Sequence, residues 1–209
     1  WAAGDIMYED TNNDKKISAG ARTLADHGDL KVIGNSTPRY LFGLDLNASW
    51  KGFDFRAFFQ GVLKRDSWLG GSWGSLEYYF GATNSWEWWA TGITAVKDYY
   101  RDANTWSVAN GYQSANQDAF LPRATFSDKN EQCQTRYLMN AAYMRLKNLQ
   151  LGYTIPRNIT GKWSITNLRV FFSAENLFTI TSMPEQFDPE MIGKDAKHSN
   201  GYPLSKTFS

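Results

Sequence analysis

The sequence predicts an all-β chain. Helical periodicity is scarce, while strict alternation of apolar and polar residues recurs. The alternation also runs for about a dozen residues at a time, where a globular strand is usually ~5–6 residues long. Strands of that length suit a tilted crossing of a bilayer. Two architectures share the pattern: a stretch of transmembrane β-barrel, and a soluble β-sandwich whose apolar faces meet in a core. Strand length favours the barrel.

Composition narrows the chemistry. The 209 residues carry 22 Lys and Arg against 21 Asp and Glu, a net charge of +1. That balance argues against nucleic acid as a partner, which usually demands a basic excess. One cysteine, Cys133, and two histidines, His27 and His198, leave no intrachain disulfide, no cysteine-based metal cluster and no multi-histidine zinc site. No apolar run approaches the ~18 residues of a membrane helix, and a barrel strand would leave no such run. The opening WAAGDIMYED lacks the basic-then-apolar pattern of a signal peptide.

The first strand is RYLFGLDLNASW. Tyr40, Phe42, Leu44, Leu46, Ala48 and Trp50 share one face, opposed to Leu41, Gly43, Asp45, Asn47 and Ser49. Trp50-Lys51-Gly52-Phe53 reads as a tight turn, with Gly52 free to take a positive φ. The return strand is FDFRAFFQGVL. Phe53, Phe55, Ala57, Phe59, Gly61 and Leu63 form its apolar face, and Asp54, Arg56, Phe58, Gln60 and Val62 its mixed face. In YMRLKNLQLGYTIP, Leu149, Leu151 and Tyr153 oppose Asn148, Gln150 and Thr154, but the phase fails upstream, where Leu146 falls on the Asn148 side. Either a bulge near Lys147 or emergence of the strand from lipid would account for this. After the polar connection PRNITGKWSITN comes LRVFFSAENLFTI. Leu168, Val170, Phe172, Ala174, Phe178 and Ile180 face one way, joined by Asn176. Arg169, Phe171, Ser173, Glu175 and Thr179 face the other.

Short turns at one end and long loops at the other are the asymmetry of an outer-membrane barrel. Trp50, Phe53, Tyr153 and Trp163 gather at the short-turn end, where an interfacial aromatic girdle belongs. The division expected is an extracellular loop over 1–38, a hairpin over 39–63, a long extracellular loop over 64–137, two strands with a short periplasmic turn over 138–180, a further loop over 181–205, and the start of a last strand at 206–209.

The long loop is rich in rings, so it is expected to fold. Trp86, Trp88, Trp89, Tyr99, Tyr100 and Trp106 are its candidate ligand or partner contacts. The competing reading is that such rings build the loop's own core. DTNNDKKIS sets Asp10, Asn12, Asp14, Lys16 and Ser18 at the offsets of a calcium loop, but Lys15 stands where the turn wants glycine and Ala21 where a bidentate Glu should sit. A self-satisfied Asn/Asp turn is the simpler reading. Glu77, Glu87, Asp98 and Asp102 could pair for glycoside hydrolysis, with no spacing that favours it. No metal, cofactor or catalytic residue is assigned.

Taken in order, these segments resemble the C-terminal part of the SusC/RagA family of TonB-dependent outer-membrane transporters of Bacteroidetes-type bacteria. The matching pieces are GDIMYEDTNNDKKI from Gly4, KVIGNSTPRYLFGLDLNASWKGFDFRAFFQG from Lys31, FLPR at 120–123, YMRLKNLQLGYTIP, LRVFFSAENLFTIT, and FDPE followed by YPLSKTFS. Lys15 and Trp50 depart from the usual Gly and Tyr. The resemblance implies part of an antiparallel barrel of about 22 strands in the complete protein. It implies no enzyme but active import of a large nutrient, an oligosaccharide or a peptide, across the cell outer membrane of a Gram-negative bacterium. The implied partners are a SusD-like surface lipoprotein, TonB through an N-terminal part, and outer-membrane lipid. A few strands alone would leave two unpaired edges in lipid, so a longer polypeptide is expected. Phe42, Leu44, Phe55 and Phe59 should meet lipid, with a charge at Phe55 costing ~2–4 kcal/mol at mid-bilayer. Asp45, Asn47, Asp54, Arg56, Arg169 and Glu175 should face the lumen. The alternative from another class is a soluble all-β carbohydrate-binding module.

Overall fold

The computed structural model describes residues 1–68, 94–125, 128–130, 132–185, 187–192 and 204–209. They divide into two compact units, one of residues 1–34 with 68–138 and one of 35–67 with 139–209. Eight strands occur among them: β1 (Arg39–Trp50), β2 (Phe53–Lys64), β3 (Asp66–Trp68), β4 (Leu138–Asn140), β5 (Tyr143–Thr154), β6 (Arg169–Glu175), β7 (Thr179–Thr181) and β8 (Thr207–Phe208). β3 and β4 form a two-stranded ribbon, and the main sheet runs β1-β2-β5-β6-β8, with β7 also on β5. All its pairings are antiparallel.

The hairpin at Lys51-Gly52 closes with φ of 48° and 89°. Both positive values are what a two-residue turn needs to match strand twist. It sets Trp50 opposite Phe53, Leu46 opposite Ala57 and Leu44 opposite Phe59, so the apolar residues of β1 and β2 share a face. β5 continues that face with Leu151 on Phe55 and Leu149 on Ala57, and β6 adds Phe172 on Leu151.

The phase failure near Lys147 is a bulge. Phe58 pairs with Asn148 but Phe59 pairs with Leu146, so Lys147 is the extra residue. The shift returns Leu146 and Met144 to the apolar face and sends Arg145 to the polar one, opposite Gln60. The next strand breaks to match. Asn176, at φ 50°, separates β6 from β7, and its N–H still donates to the Lys147 carbonyl at 3.1 Å. β7 then places Ile180 on Met144 and Thr179 on Arg145.

The apolar face stands open. Leu44 is 49% exposed, Ile180 58% and Val170 61%. Among the described residues no second sheet packs over them.

Gly61 is fixed by contact. A Cβ there would lie 2.2 Å from the Tyr143 carbonyl oxygen and 2.7 Å from the Phe42 ring. Gly61→Ala should therefore prise β2 from β5 at a cost of about 1–3 kcal/mol. The urea midpoint of unfolding measures this, and an unchanged midpoint would contradict the register.

Candidate functional site

The polar face of the sheet is a ladder of charge pairs laid down by the register. Arg56 forks onto Asp45 of the neighbouring strand, Nε to Oδ1 at 3.1 Å and Nη2 to Oδ2 at 2.7 Å. Arg169 forks onto Asp54 in the same way, at 3.0 and 2.5 Å, although β5 lies between β6 and β2. The bridge passes over Gly152, where a Cβ would lie 2.4 Å from Asp54 Oδ1 and 2.5 Å from Arg169 Nη2. Glycine at 152 is what lets the two side chains meet across an intervening strand.

Toward the other end of β5 the ladder becomes a buried cluster. Arg145 donates through Nε to Thr179 Oγ1, Nη1 to Glu190 Oε2 and Nη2 to Asp188 Oδ1, each at 2.7 Å. Lys147 Nζ adds 3.2 Å contacts to both Glu190 carboxylate oxygens. The Arg145 and Asp188 side chains are 5% and 2% exposed. Asp188 also accepts the N–H groups of Glu190 at 2.9 Å and Leu204 at 3.0 Å. Burial alone would raise its carboxyl; the Leu204 N–H, the Arg145 guanidinium and the Glu190 N–H outweigh this and hold it below the usual range. One carboxylate thus ties the Glu190 and Leu204 backbone to Arg145 of β5.

The other unit has its own keystone, built from two segments far apart in the chain. Asp5, of GDIMYED, takes Arg123, of FLPR, at 2.6 and 3.2 Å, with Lys129 Nζ at 2.7 Å and Asn130 Nδ2 at 3.2 Å. Its side chain is only 3% exposed. Burial would push the Asp5 carboxyl up; hydrogen bonds from Arg123 and Lys129 overcome that and hold it far below the ordinary carboxylate range. Gly4 completes the joint. Its carbonyl accepts the Arg123 N–H at 2.9 Å, and its φ of 87° brings the backbone under the Tyr100 ring, 2.3 Å from where a Cβ would sit.

A group whose pKa is lowered on folding stabilises the folded state above its unfolded value, about 4 for Asp, and loses that contribution as the pH falls through the folded value. Asp5→Asn should therefore weaken this unit at pH 7 and flatten its loss of stability below pH ~4. Limited proteolysis across a pH series checks both. Identical wild-type and variant profiles would count against the keystone.

Tyr99 and Tyr100 are half-buried in this unit. Tyr99 donates its hydroxyl to Gln113 Oε1 at 2.7 Å and packs under the Arg101 guanidinium. Trp106 is 70% exposed and lies stacked on Tyr112, with centroids 5.3 Å apart and planes 18° from parallel. Sequence reading did not single out Tyr112. The local signal was Asn110-Gly111, since Gly111 at φ 76° reverses the chain after the short helix α1 (Trp106–Ala109) and returns Tyr112 to Trp106. Trp86, Trp88, Trp89, Glu77 and Glu87 lie outside the described residues.

The remaining carboxylates near these rings are engaged in local hydrogen bonds to backbone and side chains. Asp98 accepts Asn116 Nδ2 and the Phe120 N–H, and Asp102 accepts Thr105 Oγ1 and the Asn104 N–H. The calcium-like segment is held by its own turns: Asp10 accepts the Lys15 N–H, Asn12 the Asp14 N–H and Asp14 the Lys16 N–H. Lys15 takes the glycine-like φ of 65°. Among the described residues no cluster of three or more His, Cys, Asp or Glu could hold a metal.

No family model matches the chain. TonB-dependent receptor P3 of Formosa agariphila is 28% identical over 190 residues, covering 90% of this chain and 15% of the relative. TonB-dependent receptor P26 of the same organism is 24% identical over 219 residues, covering 99% of this chain and 19% of the relative. Among solved structures, the RagAB peptide importer in its open-open state aligns with a TM-score of 0.57 at 25% identity, over 85% of this chain and 17% of that one. Its closed-closed state gives 0.58 at 25%, with the same coverage. The chain therefore spans less than a fifth of the length of the proteins it matches. Those names describe receptors and importers rather than catalysts.

Proposed function

From a chain that is part of the barrel of a SusC/RagA-type TonB-dependent transporter, we propose a role in the active import of a large nutrient across the bacterial outer membrane. The observation that carries this is the two-faced sheet. Its apolar face is left open where lipid would lie, and its polar face carries the charge ladder where a lumen or plug would lie. The turns at Lys51-Gly52 and 155–168 then lie at the periplasmic end. The long connections lie outside, under a SusD-like surface lipoprotein, and TonB acts through another part of the complete protein. Unpaired strand edges cost several kcal/mol for each backbone group in hydrocarbon, so the wall works only with further strands closing it.

The cargo we favour is an oligosaccharide. The exposed Trp106–Tyr112 stack supports this, because a ring face packs on sugar C–H groups while Gln113, Ser107 and Asn110 supply polar groups nearby. A peptide is the second reading, favoured by the RagAB neighbours. Uptake of labelled oligosaccharides and labelled peptides by cells carrying the complete receptor tests both. Trp106→Ala with Tyr112→Ala should weaken uptake of the true cargo about thirtyfold, the scale of one aromatic hot spot. Full uptake of every cargo by that variant would remove the stack from the function.

A further inference from the structure

The short-turn end of the sheet carries a charge pattern that neither the ladder nor import uses. Residues 50–53 and 153–168 contain Lys51, Arg157 and Lys162 and no Asp or Glu. All three cations are exposed, and none forms an ion pair among the described residues. The nearest acid along the chain, Asp54, is already taken by Arg169. The two turns adjoin, since the Thr154 N–H donates to the Gly52 carbonyl at 2.8 Å.

Apolar groups lie among these cations. Trp50, Phe53, Trp163 and Ile159 are all exposed, Phe53 packs on Tyr153 with centroids 4.4 Å apart, and Lys51 Nζ sits 4.8 Å from the Trp50 ring centre. In water this surface is doubly unfavourable, with rings left wet and three like charges left uncompensated. A layer that offers acyl chains and phosphates side by side relieves both. Indole and phenol rings partition to that boundary, and long cationic side chains reach from it to headgroups.

We propose that this end of the sheet binds the headgroups of anionic phospholipids in the adjoining leaflet, with Lys51, Arg157 and Lys162 meeting the phosphates and Trp50 and Trp163 seated at the acyl boundary. The proposal rests on the reading of this chain as membrane-spanning wall. A cation held near an anionic lipid surface is worth roughly fivefold in preference, so three acting together should be plainly measurable.

The test uses the complete receptor reconstituted in nanodiscs that mix phosphatidylglycerol with phosphatidylcholine, with retained lipid measured by native mass spectrometry. The wild type should retain phosphatidylglycerol over phosphatidylcholine by at least about tenfold, and the preference should shrink at high salt. Lys51→Gln, Arg157→Gln and Lys162→Gln together should remove most of it, while Lys51→Arg with Lys162→Arg should keep it. Equal retention of the two lipids by the wild type would overturn the proposal, as would an undiminished preference in the triple glutamine variant. If that variant does not fold, the wild-type preference and its salt dependence still decide. A receptor that stays dispersed and monodisperse with neither detergent nor bilayer would instead overturn the membrane-wall reading beneath it.

Discussion

Arg145→Ala should destabilise the lipid-reconstituted protein by about 3–5 kcal/mol, the cost of stranding a buried charge. The guanidinium is the sole bridge from β5 to Asp188 among the described residues, and with Lys147 it carries Glu190. Removing it leaves a carboxylate that is 2% exposed with no other ion-pair partner among the described residues. Arg145→Lys should recover little, because one ammonium cannot meet Thr179, Asp188 and Glu190 in the fork geometry that Arg uses. Asp188→Ala should cost a similar amount, and the double variant far less than the sum, since each single change already breaks the same contact. Asp188 also gives the cluster a sign with pH. Its folded carboxyl is held low, so its contribution is complete above the ordinary value, about 4, and fades as the pH falls below it. Urea midpoints from pH 7 to pH 3 should fall for the wild type and fall less for Arg145→Ala. Additive single and double effects would mean that the two groups do not act as a pair.

The second large effect belongs to the apolar face. Leu44 stands opposite Phe59 at the centre of the β1–β2 hairpin. Leu44→Arg should cost about 2–4 kcal/mol in lipid, the penalty for a cation at the bilayer midplane. Phe55 is only two residues from the turn. The register therefore lowers the expectation for Phe55→Arg toward the ~0–1 kcal/mol of the interface. Asn47→Arg, on the polar face beside Arg56, should change little in comparison. Refolding yields into vesicles of defined thickness read all three. Equal penalties for Leu44→Arg and Asn47→Arg would mean that lipid does not distinguish the faces.

Much of the sheet was legible because strand information is local. Alternation with a period of two marks the faces, and Lys51-Gly52 marks the turn from its own backbone preferences. The candidate contacts were less legible. Ring content flagged Trp106, but its partner depended on the reversal at Gly111. Tyr100 carries the same ring signal, and its packing against Gly4 has no counterpart in the local sequence.

By itself, then, the sequence determined the long strands β1, β2 and β5, their faces and the hairpin, each of which depends on neighbours within a few residues, whereas the single strand expected over 168–180 is broken at Asn176 into β6 and β7. Only the tertiary structure decided the rest. The bulge at Lys147 shows as a change of partner, from Phe58 on Asn148 to Phe59 on Leu146, and alternation alone left it level with an exit from lipid. Asp5 finds Arg123 across 118 residues, and Arg145 finds Asp188 across 43. Gly152 reads as an ordinary strand residue until Asp54 and Arg169 close over it. Charges pair through space, and the chain separation between them carries no trace of the distance they finally adopt.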